Sequence, residues 1–173
     1  MKIEILKHPT DEDWMLAKIC TLVTVGKNAV NPPTMEWKKK ILEARHSPIR
    51  TLQFCFRITD IPYCISGHLV RHVHATPFVK SQRNDRQDEY DRNKASQDAP
   101  VNMCWYMNAE ELMTVANKRL CMQADPTTRL LVQMICDEVT KVNPEFSGLL
   151  VPNCTYHGGV CHEMNSCRLW RNQ

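Results

Sequence analysis

Arg71, His72, His74, Thr76, Lys80, Ser81 and Arg83 gather guanidiniums, imidazoles, an ammonium and hydroxyls into one short stretch that follows an apolar run. Arginine offers a planar fork of donors that matches phosphate oxygens, lysine adds a point charge, and hydroxyls complete the shell. Such a set suits an anion, and a phosphorylated small molecule is the leading ligand. A plainer reading stands beside it: basic runs on soluble proteins are commonly solvated faces, and Asp85, Asp88, Glu89 and Asp91 follow closely enough to neutralise this one. The irregular spacing of the two arginines and two histidines across an apolar-to-polar transition favours the rim of a pocket.

A second cationic candidate is Arg119, which ends a helical stripe of Leu112, Val115 and Ala116. A guanidinium there serves either a ligand or the orphan carbonyls of its own helix. The third signal is the tail, Cys154-Thr155-Tyr156-His157-Gly158-Gly159-Val160-Cys161-His162-Glu163-Met164-Asn165-Ser166-Cys167. Thiols and imidazoles around a flexible Gly-Gly can close on Zn²⁺ as Cys3His, with Cys154, His157, Cys161 and Cys167 as ligands. The spacing is not a C-x-x-C knuckle, so redox-active or disulfide-forming thiols and inert cysteines remain open as well.

Other chemistries are excluded. With 5 glycines and neither G-x-G-x-x-G nor G-x-x-x-x-G-K-(S/T), a Rossmann domain or P-loop is ruled out. Ser81 lies in no G-x-S-x-G turn, which argues against a serine nucleophile. At 173 residues, with 43% hydrophobic and 24% charged residues, the chain fits a globular domain with a real core. A net charge of +3 permits an anionic ligand without requiring nucleic acid. No apolar run approaches the ~18 residues of a membrane span, and the start lacks a signal peptide's apolar centre. A cytoplasmic protein with reduced cysteines is expected.

The elements that position these residues follow from periodicity. Ile3 and Ile5 alternate with Lys2 and Glu4 as a short edge strand. Thr10 and Asp13 form a capping-box pattern that opens a helix from Asp11 to about Val25, and Trp37, Ile41 and Leu42 mark another after Asn31-Pro32-Pro33. Leu52, Phe54, Phe56 and Ile58 alternate with Gln53, Cys55 and Arg57 in the cleanest period-two signal, a strand with one buried face. Asp60-Ile61-Pro62 then reads as an N-cap with proline in the first turn, starting a helix toward Val70. The basic cluster begins at that helix's C-terminus and runs into a polar loop, Asn84 to Pro100. Asn108 with Glu111 caps the helix that ends at Arg119, and Asp125-Pro126 opens one carrying Leu130, Leu131, Met134, Ile135 and Val139. Helices around a small sheet, an α+β arrangement, account for this order, with a single domain over 1–150 and a Cys/His-rich tail over 151–173.

Arg71-His72-x-x-x-Thr76-x-x-x-x-Ser81-x-Arg83 resembles the R-H-R-x-x-S-x-N-x-x-S-x-R-Y signature of the flavin-dependent thymidylate synthases (ThyX) at the same spacing. Its approach, Ser66-Gly67-His68-Leu69-Val70-Arg71-His72-Val73, resembles the family's S-H-Q-L-V-R-H-R run. Asn108 to Arg119 resembles its N-x-x-x-L-x-x-F-x-x-x-R helix, and His46-Ser47-Pro48 its H-x-(T/S)-P segment. Val73, Phe78 and Asn84 depart from the signature's second Arg, its Asn and its Tyr, and Glu110 stands where the family commonly has Arg.

The resemblance implies a ThyX-like fold, a mostly antiparallel sheet packed with helices, in a homotetramer. It implies reductive methylation of dUMP to dTMP without a protein nucleophile, using FAD, methylene-tetrahydrofolate and NADPH. By the same resemblance Arg119 and Ser81 are catalytic, and His46, Arg71, His72, Thr76 and Asn108 contact the flavin. His68, Arg71, Ser81, Arg83 and Arg119 contact the nucleotide. Two rivals follow from the departures: a diverged flavoenzyme acting on another pyrimidine nucleotide, or a non-catalytic nucleotide-binding or zinc-stabilised protein.

Overall fold

The computed structural model describes residues 1–86, 91 and 93–167. Asp88 and Glu89, two of the acids that follow the basic run, and part of the polar loop lie outside them. Four strands, β1 (Lys2–Lys7), β2 (Gln53–Pro62), β3 (Thr76–Val79) and β4 (Pro100–Asn108), form one antiparallel sheet in the order β1-β2-β4-β3. Among the described residues six α-helices accompany it: α1 (Asp11–Val23), α2 (Met35–Glu43), α3 (Tyr63–Leu69), α4 (Ala109–Arg119), α5 (Pro126–Val142) and α6 (Asn153–Tyr156). The α+β arrangement is as expected, and no helix among the described residues is long and apolar enough to cross a membrane.

Alternation decides which sheet face is covered. Phe54, Phe56 and Ile58 of β2 and Val101, Met103, Trp105 and Met107 of β4 are buried, and the intervening residues are half-buried or exposed. Their register, Phe54 opposite Met107 and Phe56 opposite Trp105, stacks large apolar pairs on that one face. Phe146 closes edge-on against Phe54 at 5.4 Å, and Leu112, Val115, Leu131, Val132, Ile135 and Val139 of α4 and α5 complete the core.

The helix starts follow their caps. Thr10 accepts from the Asp13 amide while Asp13 reaches back to the Thr10 amide, the reciprocal box expected. Asn108 accepts from the Glu111 amide and Asp125 from the Thr128 amide, each opening a helix at the residue the sequence indicates. Buried Asn143 lies 3.0 Å from His8 and donates to the Pro9 carbonyl and to Glu145, tying the end of α5 to the N-terminal segment.

Two expectations are corrected. Asp60 does not cap a helix. It sits in an irregularity between Ile58 and Ile61 at φ 57°, with its amide donating to the Asn102 side chain, so β2 continues to Pro62 and α3 begins only at Tyr63. Nor does the basic cluster run straight into a loop: Thr76–Val79 pairs with Tyr106–Met103 as edge strand β3. The missing signal was its partner, since β4 itself was not anticipated despite its Val101, Met103, Trp105, Met107 alternation.

Cap and core carry distinct amounts of stability. Phe54→Ala, which empties a fully buried aromatic site, is expected to lower the unfolding free energy by about 3–5 kcal/mol, and Asn108→Ala by about 1 kcal/mol. Urea denaturation of both variants checks the ranking; a larger loss in the cap variant would mean that the sheet face is not the core.

Candidate functional site

Three of the residues singled out from the sequence meet at one place. Arg119, in the last turn of α4, donates from Nε to His72 Nε2 at 2.9 Å and from Nη2 to the His68 carbonyl at 2.7 Å. It therefore does not serve the carbonyls at the end of its own helix, the plainer alternative for a C-terminal arginine. His72 lies just past α3, is buried, and its Nδ1 is 3.0 Å from Glu111 Oε1 in the first turn of α4. Because Nε2 accepts from Arg119, the ring proton resides on Nδ1 and is donated to the carboxylate. His72, Lys118, Arg119, Cys121, Gln123, Ala124 and Glu163 line a cavity of about 360 Å³.

Desolvation, and secondarily the like charge of Arg71, push the Arg119 guanidinium below its ordinary pKa. Two guanidiniums held within electrostatic reach of each other invite an anion. A second chain of bonds supports the same turn: His68 Nδ1 donates to Thr128 Oγ1 at 2.9 Å, and that hydroxyl donates to Asp125 at 3.1 Å. The carbonyl of His68, rather than its ring, is what touches Arg119.

A second cavity, of about 390 Å³, is lined by Arg45, Arg50, His74, Asn108, Glu110, Glu111 and Thr114. Arg45 closes α2 in a left-handed conformation, φ 47°, with its amide bonded to the Leu42 carbonyl and that of His46 to Ile41. This position favours glycine, and Arg45 is retained there with its guanidinium bonded to Asn117 and stacked 4.6 Å over the Tyr156 ring. Arg50 forms an ion pair with Glu110, at the position where an Arg would follow from the resemblance.

The remaining candidates lie elsewhere on the protomer. Thr76 is exposed on the edge strand, and His46 is exposed beside the 3₁₀ turn Ser47–Thr51 without lining the second cavity. Ser81 accepts from the Arg83 amide in a local turn, and Arg83 is 64% exposed and forked onto Asp85 at 2.8 Å through both Nε and Nη2. Neither Ser81 nor Arg83 lines the cavity that contains Arg119. Val73 and Phe78, which depart from the signature the sequence resembles, are 83% and 63% exposed.

The expected Cys3His zinc set is not assembled. Among the described residues no group of three or more His, Cys, Asp or Glu side chains is placed to hold a metal ion. Gly158 and Gly159 at positive φ reverse the chain, and the His157 ring packs edge-on against Tyr156 at 5.3 Å and His162 at 4.9 Å. Cys154, Cys161 and Cys167 instead border a narrow crevice with Cys121, His162 and Glu163, which His157 does not line. The tail is fastened by Lys118 to Glu163 at 3.3 Å and by the Tyr156 hydroxyl donating to the Glu43 carbonyl at 2.8 Å.

Glu111 and Asp125 were read from the sequence as helix-start residues only, and Thr128 was not singled out. No local signal marks their second role: Asp13 holds the same third helical position before Trp14 and Met15 and reaches back to its cap instead.

No family model and no curated protein matches the sequence. The fold has solved counterparts. A crystal structure of the flavin-dependent thymidylate synthase ThyX from Helicobacter pylori complexed with FAD and dUMP superposes with a TM-score of 0.67 at 14% identity, covering 87% of this chain and 98% of that one. A second structure of Thymidylate Synthase X from the same organism, also with FAD and dUMP, gives 0.68 at 14% identity over 87% and 99%. The chain has the ThyX fold.

Two measurements test the local electrostatics. The Thr128 amide holds the Asp125 carboxyl below the usual carboxylate range, so its contribution to stability is present above the unfolded pKa and disappears as pH falls through the folded value. The stability difference between the wild type and Asp125→Asn is therefore expected to be constant above about pH 5 and to shrink below about pH 4, measured by urea unfolding. A difference independent of pH would remove the charge from the account. Burial pushes the Cys136 thiol up to about 12, so iodoacetamide at about pH 8 should alkylate Cys154 and Cys161 in the folded protein and spare Cys136, read by peptide mass mapping.

Proposed function

We propose that this chain is a flavin-dependent thymidylate-synthase-like enzyme that binds FAD and a uracil deoxynucleotide. The observation that carries the reading is Arg119, desolvated beside Arg71 and fixed by His72 and the His68 carbonyl at the wall of a cavity. Support also comes from the shared fold with proteins crystallised with FAD and dUMP.

The donors present fit such ligands. The second cavity offers Asn108, Thr114 and His74 to heteroaromatic carbonyls and ring nitrogens, and Arg45 and Arg50 to phosphates. FAD when bound supplies hydride chemistry; the protein's share is binding, orientation and electrostatics. A uracil ring becomes nucleophilic at C5 as negative charge builds on its amide-like edge. A guanidinium held in a partly desolvated cavity stabilises that charge more than water does, since its donors are already aimed. Arg71 supplies a second positive charge for phosphate or sugar oxygens.

Ser81 and Arg83 complete the phosphate contact from a neighbouring protomer. Their separation from the Arg119 cavity within one chain motivates an oligomer with shared sites, the tetramer implied by the sequence resemblance. Methylene-tetrahydrofolate and NADPH are the carbon and hydride donors on this reading.

One observation favours a nucleotide-binding protein without turnover: Val73 and Phe78, which depart from the signature the sequence resembles, are exposed and line neither cavity. The two readings separate on tritium release from [5-³H]dUMP with FAD and both donors present. Release supports the enzyme; dUMP binding without release supports the binding protein.

Arg119→Ala is expected to weaken dUMP binding to the FAD-loaded protein about 30-fold or more, the change for a lost charged contact of about 2 kcal/mol. Arg119→Lys keeps the charge without the fork and is expected to fall between them. Titration calorimetry reads both. An unchanged affinity in the alanine variant would overturn the site.

A further inference from the structure

We propose that Glu111 is a positioning residue for Arg119, acting through His72 as a fixed relay, so that the first turn of α4 dictates the aim of the guanidinium in its last turn. The relay is geometric and independent of any ligand. Its meaning for the nucleotide rests on the function proposed above.

A glutamate at the third position of a helix commonly reaches back to its N-cap amide, as Asp13 does at the start of α1. Glu111 does otherwise. Its amide donates to Asn108 in the ordinary way, but its carboxylate turns inward to His72, thirty-nine residues earlier in the chain. Both partners are nearly inaccessible, with side chains 5% and 8% exposed. A carboxylate so placed is costly unless it is hydrogen-bonded, and His72 supplies that bond.

The ionised carboxylate holds the ring proton on Nδ1, which leaves the Nε2 lone pair facing Arg119 Nε–H. Glu111 and Arg119 lie about 12 Å apart along the helix axis, beyond direct contact, and the imidazole spans the gap from outside the helix. The edge of Trp105 against His72, 6.0 Å between ring centroids, restricts the ring from the sheet side.

A restraint is required there because Arg71 repels Arg119. Without His72, Arg119 would keep only its bond to the His68 carbonyl, about which the fork can swing toward solvent. The His72 acceptor holds Nε against that repulsion without occupying the cavity, leaving the rest of the guanidinium available.

Glu111 also lines the second cavity, whereas His72 and Arg119 line the first. The relay is thus the wall between the two.

The decisive experiment follows the Arg119 Nε–H proton by NMR in the ligand-free protein, together with dUMP affinity in the FAD-loaded protein. In wild type that proton is expected to be protected from exchange by its bond to His72. In Glu111→Ala its exchange is expected to accelerate, and dUMP affinity to fall, each by about tenfold, as for a lost hydrogen bond to a charged group. Glu111→Gln retains an acceptor of the same shape and is expected to remain within about threefold, which also answers for folding if the alanine variant is unstable. Arg57, paired with Glu4 on the surface, is the control and should not respond.

In an Arg119→Lys background, where no Nε–H exists to be aimed, Glu111→Ala should change affinity less than about twofold, the non-additivity of a coupled pair. Equal losses in both backgrounds would reduce Glu111 to a structural residue and overturn the proposal. So would unchanged Arg119 exchange in Glu111→Ala, or lost protection with wild-type affinity. If wild type fails to bind dUMP, the functional reading falls, and the exchange measurement alone decides the relay.

Discussion

A buried carboxylate hydrogen-bonded to a histidine, which in turn accepts from an arginine, is the constraint around which the functional part of this protein is arranged. Each link fixes the next by hydrogen-bond polarity. Arg119 Nε–H can only donate, so His72 Nε2 must accept, its ring proton sits on Nδ1, and Glu111 receives that proton's hydrogen bond. In a low-dielectric setting these bonds are strengthened and their loss is correspondingly severe. The chain joins the turn after α3 to both ends of α4, so it locks two elements as well as one side chain.

The sheet supplies the rigidity that this arrangement needs. Trp105, fully buried on β4, backs the His72 ring, and its place is set by the register against Phe56. A one-residue slip of β4 would exchange its buried and exposed faces and withdraw that support. The irregularity at Asp60 protects the register, since the Asn102 side chain satisfies the displaced amide and fixes β2 against β4. Both strands lead directly into helices, α3 and α4, that carry the polar chain.

Local signals were readable wherever a single residue type enforces a local geometry. Thr10, Asn108 and Asp125 marked their helix starts because a short side-chain acceptor meets an orphan amide two or three residues on. The β2 alternation was equally clear. Where the cause is long-range, the sequence was silent. Nothing near Asp60 announces a left-handed residue braced by Asn102, and nothing near Glu111 announces His72. Arg119 and His72 were singled out through the resemblance of their motifs, whereas the bond between them depends on packing α4 beside the end of α3. His157 failed as a candidate ligand for the same reason: its spacing to the thiols was suitable, but the Gly158-Gly159 reversal directs it to His162 instead.

Adjacent acids at the start of α4 show how one helix end serves two environments. Glu110 and Glu111 both benefit from the positive end of the helix, yet their side chains diverge by the roughly 100° between neighbouring helical positions. Glu110 meets Arg50 at the rim of a cavity, where the arginine is 61% exposed and an ion pair contributes little because water and salt compete with it. Glu111 meets His72 in the interior, where neither competes. An anion arriving at the second cavity can therefore draw Arg50 from Glu110 with little loss, while the inner pair keeps its geometry. Glu110 thus shapes what that cavity can bind; the same charge one residue later determines how Arg119 is held.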